Sequence, residues 1–129
     1  MPASILIADD DPNIVRALRF LMQREGYAVR TAADGETALA AISDLPPDLV
    51  LLDLMMPKGS GHEVCRALRA NRAYDNIRIV MLTAKGREDD QRAGLGLGAD
   101  AYITKPFAID DVVRCVSDVL ARRGASQTA

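Results

Sequence analysis

The chain has 129 residues, of which 49% are hydrophobic, 26% charged and only 4% aromatic, and it carries a formal net charge of −2. That length suits one hydrophobic core with no second folded domain, and the composition is that of a folded protein rather than a disordered or fibrous one. The slight acidity gives no basic field for nucleic acid or anionic lipid, and no apolar run approaches the roughly 20 residues that cross a bilayer.

Met1-Pro2-Ala3-Ser4 has neither the basic nor the apolar region of a secretory signal, so a cytoplasmic chain is expected, without direct nucleic-acid or membrane contact. The first apolar run, Ile5–Ala8, ends in Asp9-Asp10-Asp11. Helical spacing follows from Pro12 to about Glu25, with Asp11 as N-cap, Pro12 at the first helical position and Gly26 as the stop. Val15, Leu18, Leu21 and Met22 form its inward stripe. A second run, Tyr27–Ala32, precedes a helix at Glu36–Ile42, and a third, Leu49–Leu52, runs into Asp53 ahead of a helix at Gly61–Ala70. Ile77–Leu82 ends at Thr83 and is followed by a helix over roughly Arg87–Leu97, softened by Gly94 and Gly96. Ala101–Thr104 ends at Lys105, and a last helix spans about Ile109 to Arg122, leaving Gly124–Ala129 as a loose tail.

Most of these runs are continuous rather than alternating, which is how strands buried on both faces read. Five of them alternating with five helices predict an α/β fold, a doubly wound parallel sheet, because parallel neighbours need crossover connections that cover both faces. The pattern leaves strand order open, with 2-1-3-4-5 a common solution. Cys65 and Cys115 then fall on helices of opposite faces, beyond disulfide reach.

Ligands in such sheets bind beyond the carboxyl ends of the strands, where this sequence places Asp9, Asp10, Asp53, Thr83 and Lys105. Clustered carboxylates without histidine or thiolate are hard oxygen donors that suit Mg²⁺. An aspartate can also attack phosphorus to give an acyl phosphate, with Lys105 neutralising phosphoryl oxygens and Thr83 donating to one. Acids at strand ends can simply cap helices, as Asp11 is expected to. Like charges from separate strands crowded together call for more than capping.

The strings Ile5-Leu6-Ile7-Ala8-Asp9-Asp10-Asp11, Leu51-Leu52-Asp53-Leu54-Met55-Met56-Pro57, Val80-Met81-Leu82-Thr83-Ala84 and Gly98-Ala99-Asp100-Ala101-Tyr102-Ile103-Thr104-Lys105-Pro106-Phe107 together resemble the response-regulator receiver domains of two-component signalling, such as CheY. The resemblance implies a receiver domain over residues 1–123 and a short tail or linker start over 124–129. It implies Asp53 as phosphoacceptor, a Mg²⁺ ion held by Asp10 with Asp9, Asp53 and the Met55 backbone carbonyl, and phosphoryl contacts from Thr83 and Lys105. Tyr102 is implied as the aromatic that turns inward on activation, and the Lys105–Pro106 bond as cis.

The implied donor is a phosphohistidine on a sensor histidine kinase or phosphotransfer protein, and the implied output is a changed surface read by a downstream effector, in a signalling switch that promotes its own phosphorylation and slow dephosphorylation. Asp111 and Arg122 match the family's dimer-forming surface, whereas Ala101 and Cys115 replace a typical acid and arginine, so a phosphorylation-linked dimer stays open. His62, without a second histidine at ligand spacing, reads as a surface residue. A phosphatase of the haloacid-dehalogenase type would use Asp9 as nucleophile and Asp11 as acid/base, but a second acidic pair after the fourth strand is missing. A flavodoxin-like carrier would need a Ser/Thr/Gly-rich phosphate loop where the acids stand.

Overall fold

Every apolar run of the sequence becomes a strand of one sheet. The computed structural model describes residues 2–84 and 98–128, with side chains described as far as residue 122. The strands are β1 (Ser4–Ala8), β2 (Ala28–Ala32), β3 (Leu49–Asp53), β4 (Arg78–Ala84) and β5 (Ala101–Lys105). All neighbours are parallel, in the order β2-β1-β3-β4-β5.

Strand side chains alternate between faces, and that period sorts the core into two layers. Leu6, Ala8, Val50, Leu52, Ile79 and Met81 point to one side, where they meet Ala38, Ile42, Val64, Cys65 and Leu68. Ile5, Ile7, Leu49, Leu51, Val80, Leu82 and Ile103 point to the other and meet Leu18, Leu21, Met22, Val112, Val116 and Val119. The helices that cover these faces are α2 (Gly35–Asp44) and α3 (Gly61–Arg69) on the first, α1 (Pro12–Arg24) and α4 (Ile109–Thr128) on the second. Each Leu or Ile withdrawn from water in this way contributes about 1.5–3 kcal/mol. Cys65 and Cys115 are not joined by a disulfide and associate with opposite layers.

Among the described residues there are four α-helices and one 3₁₀ turn (Arg72–Tyr74), against the five helices expected; the segment Arg87–Leu97 lies outside the described residues. Sequence periodicity overlooks the 3₁₀ turn because three residues carry no period, although Asn71, whose side chain accepts from Ala73 N–H at 3.0 Å, marks its start. Tyr27 and Ile77 are not yet strand, because their N–H groups still donate to Met22 and Tyr74 carbonyls of the preceding helical turns. α4 continues to Thr128, so the expected loose tail is helical in its backbone: one internal glycine costs only about 1 kcal/mol, and residues 125–128 hold no proline to break the helix. No helix of the described residues is long and apolar enough to cross a membrane.

The helix starts are fixed by side chains. Asp11, Asp34 and Ser60 accept from the N–H groups of Asn13, Thr37 and Glu63 at 2.9, 2.6 and 3.2 Å, satisfying donors that helix geometry leaves without partners. Gly26 takes φ +93° to turn the chain out of α1, a conformation that other L-residues resist.

Candidate metal centre

Parallel register brings the acids together. Ala8 of β1 lies opposite Leu52 of β3, so the next residues, Asp9 and Asp53, emerge side by side at the carboxyl edge of the sheet. One oxygen from each of Asp9, Asp10 and Asp53 lies within 4.8 Å of the others. Asp9 and Asp53 are only 1% and 6% exposed, whereas Asp10 is open to solvent, so the cluster has a buried floor and an open side.

Each carboxylate is oriented. Asp9 Oδ1 accepts from Asp11 N–H at 2.9 Å, and Asp9 N–H donates to the Ala32 carbonyl at 3.1 Å, locking the residue between β1 and β2. Asp53 Oδ1 accepts from Met55 N–H at 3.4 Å. Gly61 lets the start of α3 close directly over this strand end: a Cβ there would stand 2.5 Å from the Asp53 carbonyl oxygen and 2.8 Å from Leu54 Cα. Lys105 belongs to the edge strand β5, and its long stem carries Nζ back to Asp9 Oδ2 at 2.9 Å and Asp53 Oδ1 at 3.3 Å. The Lys105–Pro106 peptide is cis.

Among the described residues one ammonium faces three carboxylates, and the electrostatics register the excess. Burial, reinforced by the negative charge of Asp9, pushes the Asp53 carboxyl up to about 6 despite the opposing pull of Lys105 and the Met55 N–H. Burial alone would lower Lys105, but its hydrogen bond to Asp9 and the charges of Asp53 and Asp9 outweigh burial and hold it above the ordinary lysine value. A hard divalent cation would relieve the repulsion, and an all-oxygen set with one open side is the donor chemistry that Mg²⁺ takes.

Of the other expected site residues, Thr83 is 1% exposed at the end of β4, its hydroxyl making a long 3.5 Å contact to the Ala84 carbonyl. Tyr102 is half-buried against the layer that holds Met81, and with Pro106, Phe107, Asp111 and Cys115 it lines a cavity of about 370 Å³. His62 is part-buried near the start of α3. The sequence reading missed a polar anchor below the sheet. Arg69 donates to the carbonyls of Gly98, Tyr74 and Ile77 at 3.0, 3.2 and 2.8 Å and to Asp100 at 3.1 Å. Asp100 also accepts from Ile79 N–H at 2.8 Å. An arginine in the last turn of a helix reads as a dipole partner, and nothing local signals that its target is about thirty residues away.

A doubly wound sheet whose carboxyl edge gathers three aspartates and a lysine narrows the class of protein, and comparison with known proteins makes that class explicit. Residues 5–117 match the model of the response regulator receiver domain. The chain is 46% identical over 122 residues to the alkaline phosphatase synthesis transcriptional regulatory protein PhoP of Bacillus subtilis, covering 95% of this chain and 50% of that protein. It is 44% identical over 122 residues to the DNA-binding response regulator MtrA of Mycolicibacterium smegmatis, covering 95% and 52%.

Among solved structures, a putative response regulator from Chloroflexus aurantiacus superposes with TM-score 0.90 at 36% identity, covering 94% of this chain and 99% of that one. The chemotaxis protein CheY4 of Vibrio cholerae gives TM-score 0.86 at 31% identity, covering 92% and 99%. The chain belongs to the response-regulator receiver family: it is a receiver domain of two-component signalling, a class of signalling switches. It spans about half the length of the curated relatives it matches, and the DNA binding for which MtrA is named is a property of that protein. The expectation of no direct nucleic-acid contact therefore concerns this stretch of chain alone.

Proposed function

We propose that the domain accepts a phosphoryl group on Asp53 and reports it through the surface around Tyr102. The observation that carries the reading is the convergence of Asp9, Asp10, Asp53 and Lys105, delivered by β1, β3 and β5, on one crevice.

Asp9, Asp10, Asp53 and the Met55 carbonyl would hold Mg²⁺, which, when bound, neutralises phosphoryl oxygens. The chain's own groups do the rest. An Asp53 oxygen forms the new P–O bond while the P–N bond of the donor phosphohistidine breaks and its electron pair stays on the imidazole. Met55 N–H, bonded to Asp53 Oδ1, keeps the carboxylate aimed, and Lys105 supplies positive charge to the departing site and the incoming group alike. Water attack on the resulting acyl phosphate would complete a slow self-dephosphorylation.

Beside Lys105 the surface turns apolar: Ile14 and Ala17 of α1 and Pro106 and Phe107 line a shallow cavity of about 290 Å³, and Phe20, 67% exposed, continues that face of α1. Exposed apolar surface next to a reactive centre supports docking of the donor protein there. For output, Thr83 drawn toward the new phosphoryl group frees room for Tyr102 to move inward, altering the surface of β5 and α4 that an effector or a second copy would read.

The test is intact mass after incubation with acetyl phosphate and Mg²⁺. The parent should gain the mass of one phosphoryl group, and Asp53→Asn should gain none; equal labelling of both would refute the assignment.

A further inference from the structure

We propose that Gly35, the first residue of α2 and no part of the crevice, is a positioning residue for the cation site, because it seats the loop that presents the Met55 carbonyl. This rests on the reading of that carbonyl and the three aspartates as metal ligands.

The loop runs from Leu54 to Ser60 and is pinned at both ends: Leu54 N–H donates to the Leu82 carbonyl at 3.2 Å, and Gly61 N–H donates to the Leu54 carbonyl at 3.0 Å. Between the pins the chain makes an unusual excursion, with Lys58 at φ +53° and Gly59 at φ +114°. Strained conformations of this kind persist only where the surroundings impose them. What holds the outer part of the loop is the start of α2. Gly35 N–H donates to the Pro57 carbonyl at 3.2 Å, and the two backbones touch without side chains between them. A Cβ on Gly35 would overlap the Gly59 carbonyl oxygen and stand 2.7 Å from its carbon and 2.8 Å from Gly59 Cα. All three atoms are backbone, so no side chain can swing aside, and the loop itself must move.

Met55 lies between the Leu54 pin and the Pro57 contact, one residue from the first and two from the second. A displacement at Pro57 is therefore passed to the Met55 peptide, whose N–H aims Asp53 and whose carbonyl would face the cation. Glycine in the first turn of a helix is a poor helix former, costing up to about 1 kcal/mol against alanine, and the backbone contact gives the position a reason to be glycine. Groups that orient metal ligands from one shell out commonly change affinity by about 10–100-fold when altered.

The experiment is isothermal calorimetry of MgCl₂ binding to the unphosphorylated protein, on the parent, Gly35→Ala, Gly59→Ala and Gly26→Ala, each checked for native circular dichroism. Gly59→Ala attacks the same contact from the loop side: its Cβ would meet Gly35 Cα at an ordinary 3.4 Å, but alanine does not hold φ +114°. It serves alone if Gly35→Ala does not fold. Gly26→Ala strains a left-handed glycine that has nothing within 4 Å and lies at the far end of α1, so it lowers stability without touching the loop.

The expected result is Mg²⁺ affinity weakened about tenfold in Gly35→Ala and Gly59→Ala and unchanged in Gly26→Ala. Parental affinity in a folded Gly35→Ala or Gly59→Ala, or equal weakening in Gly26→Ala, overturns the inference. A parent that binds no Mg²⁺ instead overturns the cation-site reading beneath it.

Discussion

The Lys105 ammonium lies closer to Asp9, at 2.9 Å, than to Asp53, at 3.3 Å. The lysine thus braces β5 against the end of β1 as well as facing the proposed phosphoacceptor. Replacing Lys105 with Met removes the cation and leaves two buried carboxylates facing each other. Charge-assisted hydrogen bonds are worth about 1.5–3 kcal/mol, so phosphorylation by acetyl phosphate should slow by about 10–100-fold, read as the initial rate of mass gain. An unchanged rate would mean that Lys105 only ties strands together.

The pH dependence of stability isolates Asp53. In the native protein its carboxyl titrates at about 6, and on unfolding it returns toward 3.8. Between those values the native state holds a proton that the unfolded chain has lost, so this group makes stability fall as pH rises from 3.8 to about 6 and adds no further slope above. Urea unfolding in EDTA, parent against Asp53→Asn, should show that slope only in the parent. At pH 7 the variant should be more stable by about 1–2 kcal/mol, the full linkage being reduced by solvent at the open side of the crevice.

The three consecutive acids should separate by function. Asp11 caps α1 through Asn13 N–H, so Asp11→Ala should cost about 0.5–2 kcal/mol in urea and leave the Mg²⁺-induced rise in Tm intact. Asp10 is exposed in the cluster, so Asp10→Asn should leave metal-free stability nearly unchanged and abolish most of that rise, which at a hundredfold excess over Kd is worth about 2.7 kcal/mol. Thermal melts with and without MgCl₂ decide both.

Arg69→Ala should be the most damaging of these changes to the fold. It removes donors from three carbonyls and leaves Asp100, itself three-quarters buried, with Ile79 N–H at 2.8 Å and a 3.7 Å contact to Arg78. A loss of about 3–5 kcal/mol is expected from urea titration, with Mg²⁺ affinity little changed because the anchor lies at the opposite end of the strands.

Much of the architecture was legible because it follows from local rules. Continuous apolar runs marked five parallel strands, of which the central β1, β3 and β4 are buried and the edge strands β2 and β5 only in part; Asp11-Pro12 marked the start of α1 and Gly26 its end. Residues at strand ends pointed to the crevice, since a parallel sheet puts all its carboxyl ends on one edge. Less legible were features that depend on who lies opposite. The helical continuation to Thr128 overrides Gly124, a 3₁₀ turn is too short to have a period, and the Arg69 anchor joins residues far apart in the chain.

The sequence by itself determined the periodicity of burial, and with it the doubly wound class and the edge where chemistry gathers, because side-chain direction alternates with fixed period along a strand. Only the tertiary structure decided the strand order that sets Asp9 beside Asp53, the reach of Lys105 from the edge strand to Asp9, and the backbone contact of Gly35 with Gly59. Those are distances between segments remote in sequence, and they exist only once two sheet faces have been packed at close density.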